Sequence, residues 1–144
     1  MIQRIQSIYL LIATLLSGGL IFGLNLWVNE QGIEFFVMDS FTSESILLKV
    51  MAVLFFASSV LTLIAIFQFK KRQLQFVLCR LSILTNFIIL GIVVYFSQNL
   101  SGEINVSEKG IGLLIPILTI VFVVIANRAI KKDEELVKSV DRLR

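Results

Sequence analysis

The chain contains no histidine, one cysteine and one proline. Without histidine, imidazole acid/base catalysis and His-ligated metal centres have no residues to use. Cys79 alone can form neither a disulfide nor a Cys-x-x-Cys redox pair within the chain, which excludes membrane disulfide-forming chemistry. It reads as a small buried hydrophobe. Acidic groups are missing where they would matter most, because no Asp or Glu falls inside any long apolar run. Proton-coupled carriers and intramembrane aspartyl proteases need titratable carboxylates at membrane depth, so both classes lose their chemistry here.

What is present is apolar. Hydrophobic residues make up 57% of the 144, above the usual share of a soluble domain. They gather into runs at 8–28, 46–69, 74–96 and 111–130. Each is near the roughly 20 residues that carry a helix across about 30 Å of hydrocarbon. Barrel strands would be shorter and alternating, and a backbone in lipid must satisfy its own hydrogen bonds. The expected fold is therefore an all-α integral membrane protein: one domain over 1–144, a bundle of four transmembrane helices, and a C-terminal amphipathic helix at 131–144. The first run ends in "FGLNLWVNE", which lacks a small-residue cleavage pattern, so it reads as a retained span.

Charge asymmetry orients the bundle. Arg4, Lys70, Lys71, Arg72, Arg80, Arg128, Lys131, Lys132, Lys138, Arg142 and Arg144 fall on one side. The other side has only Lys49 and Lys109, together with Glu30, Glu34, Asp39, Glu44, Glu103 and Glu108. The positive-inside rule predicts both termini in the cytoplasm. The net charge of +3 is then a topology signal and not a nucleic-acid footprint. Arg80 stands about six residues, roughly 9 Å, inside the third run. Side chains on a helix lean toward its N-terminus, so this guanidinium is expected to snorkel back to the interface. The alternative is an ion pair with Asp133, Glu134 or Glu135 that pins the third helix to the fourth.

Neutral polar residues within the runs offer less chemistry. Ser82 and Asn86, with Thr85 beside them, could line a pore or pocket, helped by a kink at Pro116. The plainer expectation is hydrogen bonding between helices, worth about a kilocalorie per mole or less each. Gly19 and Gly23 in "SGGLIFG", and Ala13 with Ser17, are small pairs four apart. They suit close helix approach, with packing inside the bundle expected over packing between copies. In the first outer loop Ile33, Phe35, Phe36, Val37 and Met38 are strand-forming and costly to expose. They should lie on the membrane surface, pair with 102–110 as a short β-hairpin cap, or meet a partner. The tail "RAIKKDEELVKSVDRLR" carries an apolar stripe of Leu136, Val137, Val140 and Leu143, with Glu134 and Lys138 as an i,i+4 pair. Such a helix extends the fourth span, lies on an anionic leaflet, or binds a partner helix.

The opening "MIQRIQSIYLL", the four spans with both ends on one side, and the closing "NRAIKKDEELVKSVDRLR" together resemble the uncharacterised bacterial membrane family catalogued as domain of unknown function 4293. The likeness runs the length of the chain, and the two ends are its most specific parts. It implies a Gram-negative inner-membrane protein and brings no activity, so no functional residue is carried over. From the residues themselves, the leading expectation is a non-enzymatic accessory or scaffold subunit without cofactor or metal. Its partners would be the lipid bilayer and a membrane protein or a second copy of the chain, with no nucleic acid. The alternative is a homo-oligomeric channel or a small lipid- or solute-binding carrier built around Ser82, Asn86 and Pro116. An enzyme would have to rely on loop acids such as Glu34 or Asp39.

Overall fold

A computed structural model describes residues 2–28, 32–99 and 111–144. In it four helices are long and apolar enough to cross a membrane. The first is compound: α1 (Ile2–Leu15) passes through a π-helical turn (Leu16–Leu20) into the short α2 (Ile21–Gly23). An antiparallel hairpin of β1 (Asn25–Val28) and β2 (Glu34–Phe36), then one helical turn, α3 (Asp39–Thr42), lead to α4 (Ile46–Phe67). The chain returns as α5 (Arg72–Asn99), and a 3-10 turn (Ile111–Leu114) opens α6 (Ile115–Arg142).

Each long helix packs on its neighbour in sequence, and α1 closes the ring against α6. This is the arrangement of an up-and-down bundle. Only about a third or less of each span's apolar window is buried inside the bundle. Large side chains such as Phe56, Phe67, Val77 and Leu84 face outward. An apolar exterior on this scale suits hydrocarbon and is costly in water. The interior divides in two. Ile21, Leu26, Met51, Phe55, Ile89 and Ile115 pack at the end that carries the strands. Leu10, Ala13, Ala65, Cys79, Val123 and Ile130 pack at the opposite end, where the lysines and arginines gather.

The first span is shorter than its apolar run. The helix stops at Gly23, Leu24 is already extended (φ −112°, ψ 135°), and 25–28 form β1. Helix propensity is weak at glycine and the following Asn25, while Trp27 and Val28 favour strand. The outer-loop residues form a hairpin with the chain that precedes them. β2 pairs with β1, the end of the first apolar run, and Trp27 stacks on Phe35 with ring centroids 4.6 Å apart and planes 4° from parallel. The expected pairing with 102–110 lies outside the described residues. Gly32, with φ 75°, takes a conformation in the connection that side chains rarely tolerate.

The small-residue pairs part company. Ala13 and Ser17 are buried, as close packing requires. Gly19 and Gly23 face outward instead, with open space where a Cβ would stand. The π-turn explains the change, since its wider ring rotates everything after Leu16 relative to a regular helix. Gly18 becomes the contact residue, and a Cβ there would come within 2.8 Å of Ser59 Cβ on α4. Pro116 makes no kink, because it falls in the first turn of α6, where no intrahelical N–H bond is lost. From Ile115 the helix continues unbroken to Arg142, so the tail extends the fourth span as one rod.

Candidate functional site

Every long helix brings small polar side chains to the middle of the bundle. Ser58 with Thr62 on α4, and Ser82 with Asn86 on α5, are i,i+4 pairs, and that spacing puts each pair on one helix face. The Asn86 amide Nδ2 donates to Ser58 Oγ at 2.6 Å and to the Ser82 carbonyl at 2.9 Å, while the two serine hydroxyls are 3.2 Å apart. On the α1 side, the Thr14 and Thr62 hydroxyls are 2.9 Å apart, and the Ser59 hydroxyl donates to the Thr14 carbonyl at 3.4 Å. Thr119 of α6 donates to its own Ile115 carbonyl at 2.8 Å. Ser58, Thr62, Ser82, Asn86 and Thr119 are fully buried. Ser82 and Asn86 therefore join α5 to α4 and are closed off among the described residues. Pro116 lies in the first turn of α6, beside Ile115 of the strand-end core, and takes no part in this belt. Within the belt, Asn86 Oδ1 has no hydrogen-bond partner.

At the basic end, the pair that joins α5 to α6 is not the alternative weighed for Arg80. Arg80 makes no ion pair with Asp133, Glu134 or Glu135. Its guanidinium carbon lies 4.3 Å from the centroid of the Phe76 ring, one turn back toward the start of α5. Helices α5 and α6 run antiparallel, and Arg72 stands opposite Asp133. Arg80, eight residues further into α5, is thus about 12 Å deeper than those acids. Asp133 is taken by Arg72 instead, with Nη2 3.2 Å from Oδ2 and Nη1 donating to the Asp133 carbonyl at 3.4 Å. These two side chains are only 25% and 14% exposed. Glu134 meets Lys138 at 2.8 Å, and Glu135 comes 4.0 Å from Lys131, both along the tail. The Lys138 hydrogen bond and charge hold the Glu134 carboxyl below its ordinary value. At the same end, Gln6 Nε2 donates to the Ala129 carbonyl at 3.0 Å and ties α1 to α6.

Between the start of α5 and the tail of α6 runs a groove of about 830 Å³, bordered by Lys70, Lys71, Leu74, Val77, Val137 and Lys138. Four cations against Glu134 and Asp133 leave its surroundings with a net charge of +2.

The two expected contact surfaces fare unequally. In the outer loop Val37 is buried, Phe35 lies under Trp27, and Phe36 is half-buried in the hairpin. Val37 and Phe35 pack into the core at that end of the bundle. Ile33 stays open, and so do Met38 and Phe41. On the tail, Leu136, Val140 and Leu143 are 45%, 60% and 89% exposed.

The family model for a domain of unknown function (DUF4293) matches residues 2–143. This chain belongs to the DUF4293 family. Neither curated proteins nor solved structures show a match. The DUF4293 match runs from α1 to the end of α6, so hairpin, bundle and tail helix belong to one family unit. Three contacts of this DUF4293 chain escaped sequence reasoning: Arg72 with Asp133, Gly18 with Ser59, and Gln6 with the Ala129 carbonyl. The first had a legible signal. Arg72 and Asp133 stand just outside their apolar runs on the same side, so antiparallel packing brings them level.

Proposed function

We propose that this protein is a multi-pass bacterial inner-membrane protein with both termini in the cytoplasm, acting as a small non-enzymatic accessory or scaffold subunit of a membrane complex. The observation that carries the reading is the tail of α6. Leu136, Val140 and Leu143, spaced four and three apart, keep an apolar stripe open on a helix that projects past the span. A partner helix laid along that stripe would bury it at the spacing that helix-in-groove recognition uses. The cytoplasmic placement rests on the cluster of lysines and arginines around Arg72 and the tail. The polar belt supports a passive interior, since its hydroxyls and amide donate to one another or to carbonyls and no ionisable group lies among them.

The test is affinity isolation of a chromosomally tagged copy from native membranes in mild detergent, with mass spectrometry and a mass estimate of the intact particle. A membrane protein recovered in stoichiometric amount, and lost from a Val140→Glu, Leu143→Glu variant that still folds, is the expected result. Recovery of the chain alone from both preparations sinks the accessory role. A closed oligomer of the chain that conducts ions in liposomes would move the reading to the channel.

A further inference from the structure

We propose that the groove between the start of α5 and the tail of α6 binds the headgroup of an anionic phospholipid, whose acyl chain follows an exposed apolar ridge down α5. Charge is the first argument. Arg72 and Lys138 are neutralised by Asp133 and Glu134. Among the described residues no carboxylate lies within ion-pairing distance of Lys70 or Lys71, so the positive excess sits at the mouth of the groove. Basic pockets beside membrane helices are where anionic lipid headgroups collect.

The wall of the groove identifies the ligand as an amphiphile. Leu74, Val77 and Val137 border it next to the lysines, and a free inorganic anion gains nothing from them. The wall does not end at the groove. Leu74, Val77, Leu81, Leu84 and Ile88 follow one another at steps of three and four, a single stripe on α5, and all are 42% exposed or more. Over fourteen residues that stripe is about 21 Å long, more than the roughly 15 Å of one hydrocarbon leaflet. Arg80, on the same helix, lays its guanidinium over Phe76, one turn nearer the start of α5. Headgroup cations and an acyl track thus lie in register on one side of the bundle. The inference depends on the helices being spans but not on which way they point, nor on the accessory role.

The experiment uses the full-length protein in neutral detergent. Native mass spectrometry and thermal unfolding are followed on addition of phosphatidylglycerol or phosphatidylcholine, with glycerol 3-phosphate as a soluble competitor. Phosphatidylglycerol should form a retained one-lipid adduct and raise the melting temperature, whereas phosphatidylcholine at equal concentration does neither. Lys70→Gln with Lys71→Gln should weaken that adduct by about ten- to thirtyfold, the factor two interfacial lysines contribute. Both side chains are exposed and unpaired, so this variant should unfold as the parent does without lipid. Val77→Gln should weaken the adduct as well, and Lys49→Gln, at the far end of the bundle, should not. Equal binding of the two lipids overturns the proposal, as does a Lys49→Gln effect as large as that of Lys70→Gln, Lys71→Gln. Displacement by millimolar glycerol 3-phosphate, with Val77→Gln silent, would make the ligand a soluble phosphate and overturn the lipid assignment.

Discussion

The pairing of Arg72 with Asp133 gives the sharpest test of how α5 is fixed to α6. Removing it from both sides, with Arg72→Gln, Asp133→Asn and the double variant, isolates the pair from whatever else each side chain does. Fully exposed ion pairs couple by about 0.2–1 kcal/mol, and hydrogen bonds to charged groups by about 1.5–3 kcal/mol. With side chains 25% and 14% exposed and one 3.2 Å contact, the coupling should fall between those ranges, at about 1–2 kcal/mol. For a chain of this size that is about 3–6 °C in melting temperature. Unfolding in neutral detergent can be followed with a thiol-reactive dye, because Cys79 is the sole cysteine and is buried. Arg80→Gln is the control: an exposed cation over a ring contributes about 0.5 kcal/mol, a shift under about 2 °C. A coupling energy of zero within error would refute the pairing, and so would Arg80→Gln destabilising more than Arg72→Gln.

The remaining predictions use the same assay. Gly18→Leu drives a side chain into Ser59 and should cost about 1–3 kcal/mol as an overpacked contact, while Gly23→Leu, facing open space, should stay within about 0.5 kcal/mol; the reverse order would mean that the π-turn is not formed. Pro116→Ala should also change stability by less than about 0.5 kcal/mol, since the first turn of α6 has no N–H bond for proline to remove. Phe35→Ala strips the ring stacked on Trp27, the sole tryptophan. It should shift tryptophan emission and lower stability by about 1–2 kcal/mol, whereas Ile33→Ala, exposed on the same loop, should leave the emission unchanged.

Hydrophobic run length carried most of the architecture. Four apolar stretches, no interior acid and a one-sided charge pattern left a helical bundle as the natural solution, and the tail's spacing announced its helix. What was illegible depended on phase and depth, which composition does not encode. Gly19 and Gly23 look like a packing pair on a regular helix, and only the extra residue of the π-turn turns them outward and brings in Gly18. Arg80 draws attention as a charge inside a span, yet its distance from the interface is what keeps it from Asp133. Pro116 reads as a kink when the run is taken to start at 111, and becomes harmless once the α-helix begins at Ile115. The hairpin was missed because Leu24 to Val28 are as apolar as a helix end, while the strand preference of Trp27 and its stacking partner Phe35 act only once the chain has reversed. In the belt, the i,i+4 spacings of Ser58 with Thr62 and Ser82 with Asn86 were in plain view. Their meeting across α4 and α5 depended on a relative helix height that sequence alone does not set.

The unbroken α6 has a mechanical consequence. Between Ile115 and Arg142 it is a rod of about 40 Å. Among the described residues, its last ion pair to a neighbouring helix is at Asp133, nine residues short of Arg142. A change of about 10° in the angle of this helix therefore sweeps Arg142 sideways by roughly 7 Å relative to Ile115. Helices answer a thicker or thinner bilayer by altering their tilt. Through this rod a small change in helix angle is magnified toward the tip, so the end of the tail moves far more than the part of the helix packed inside the bundle.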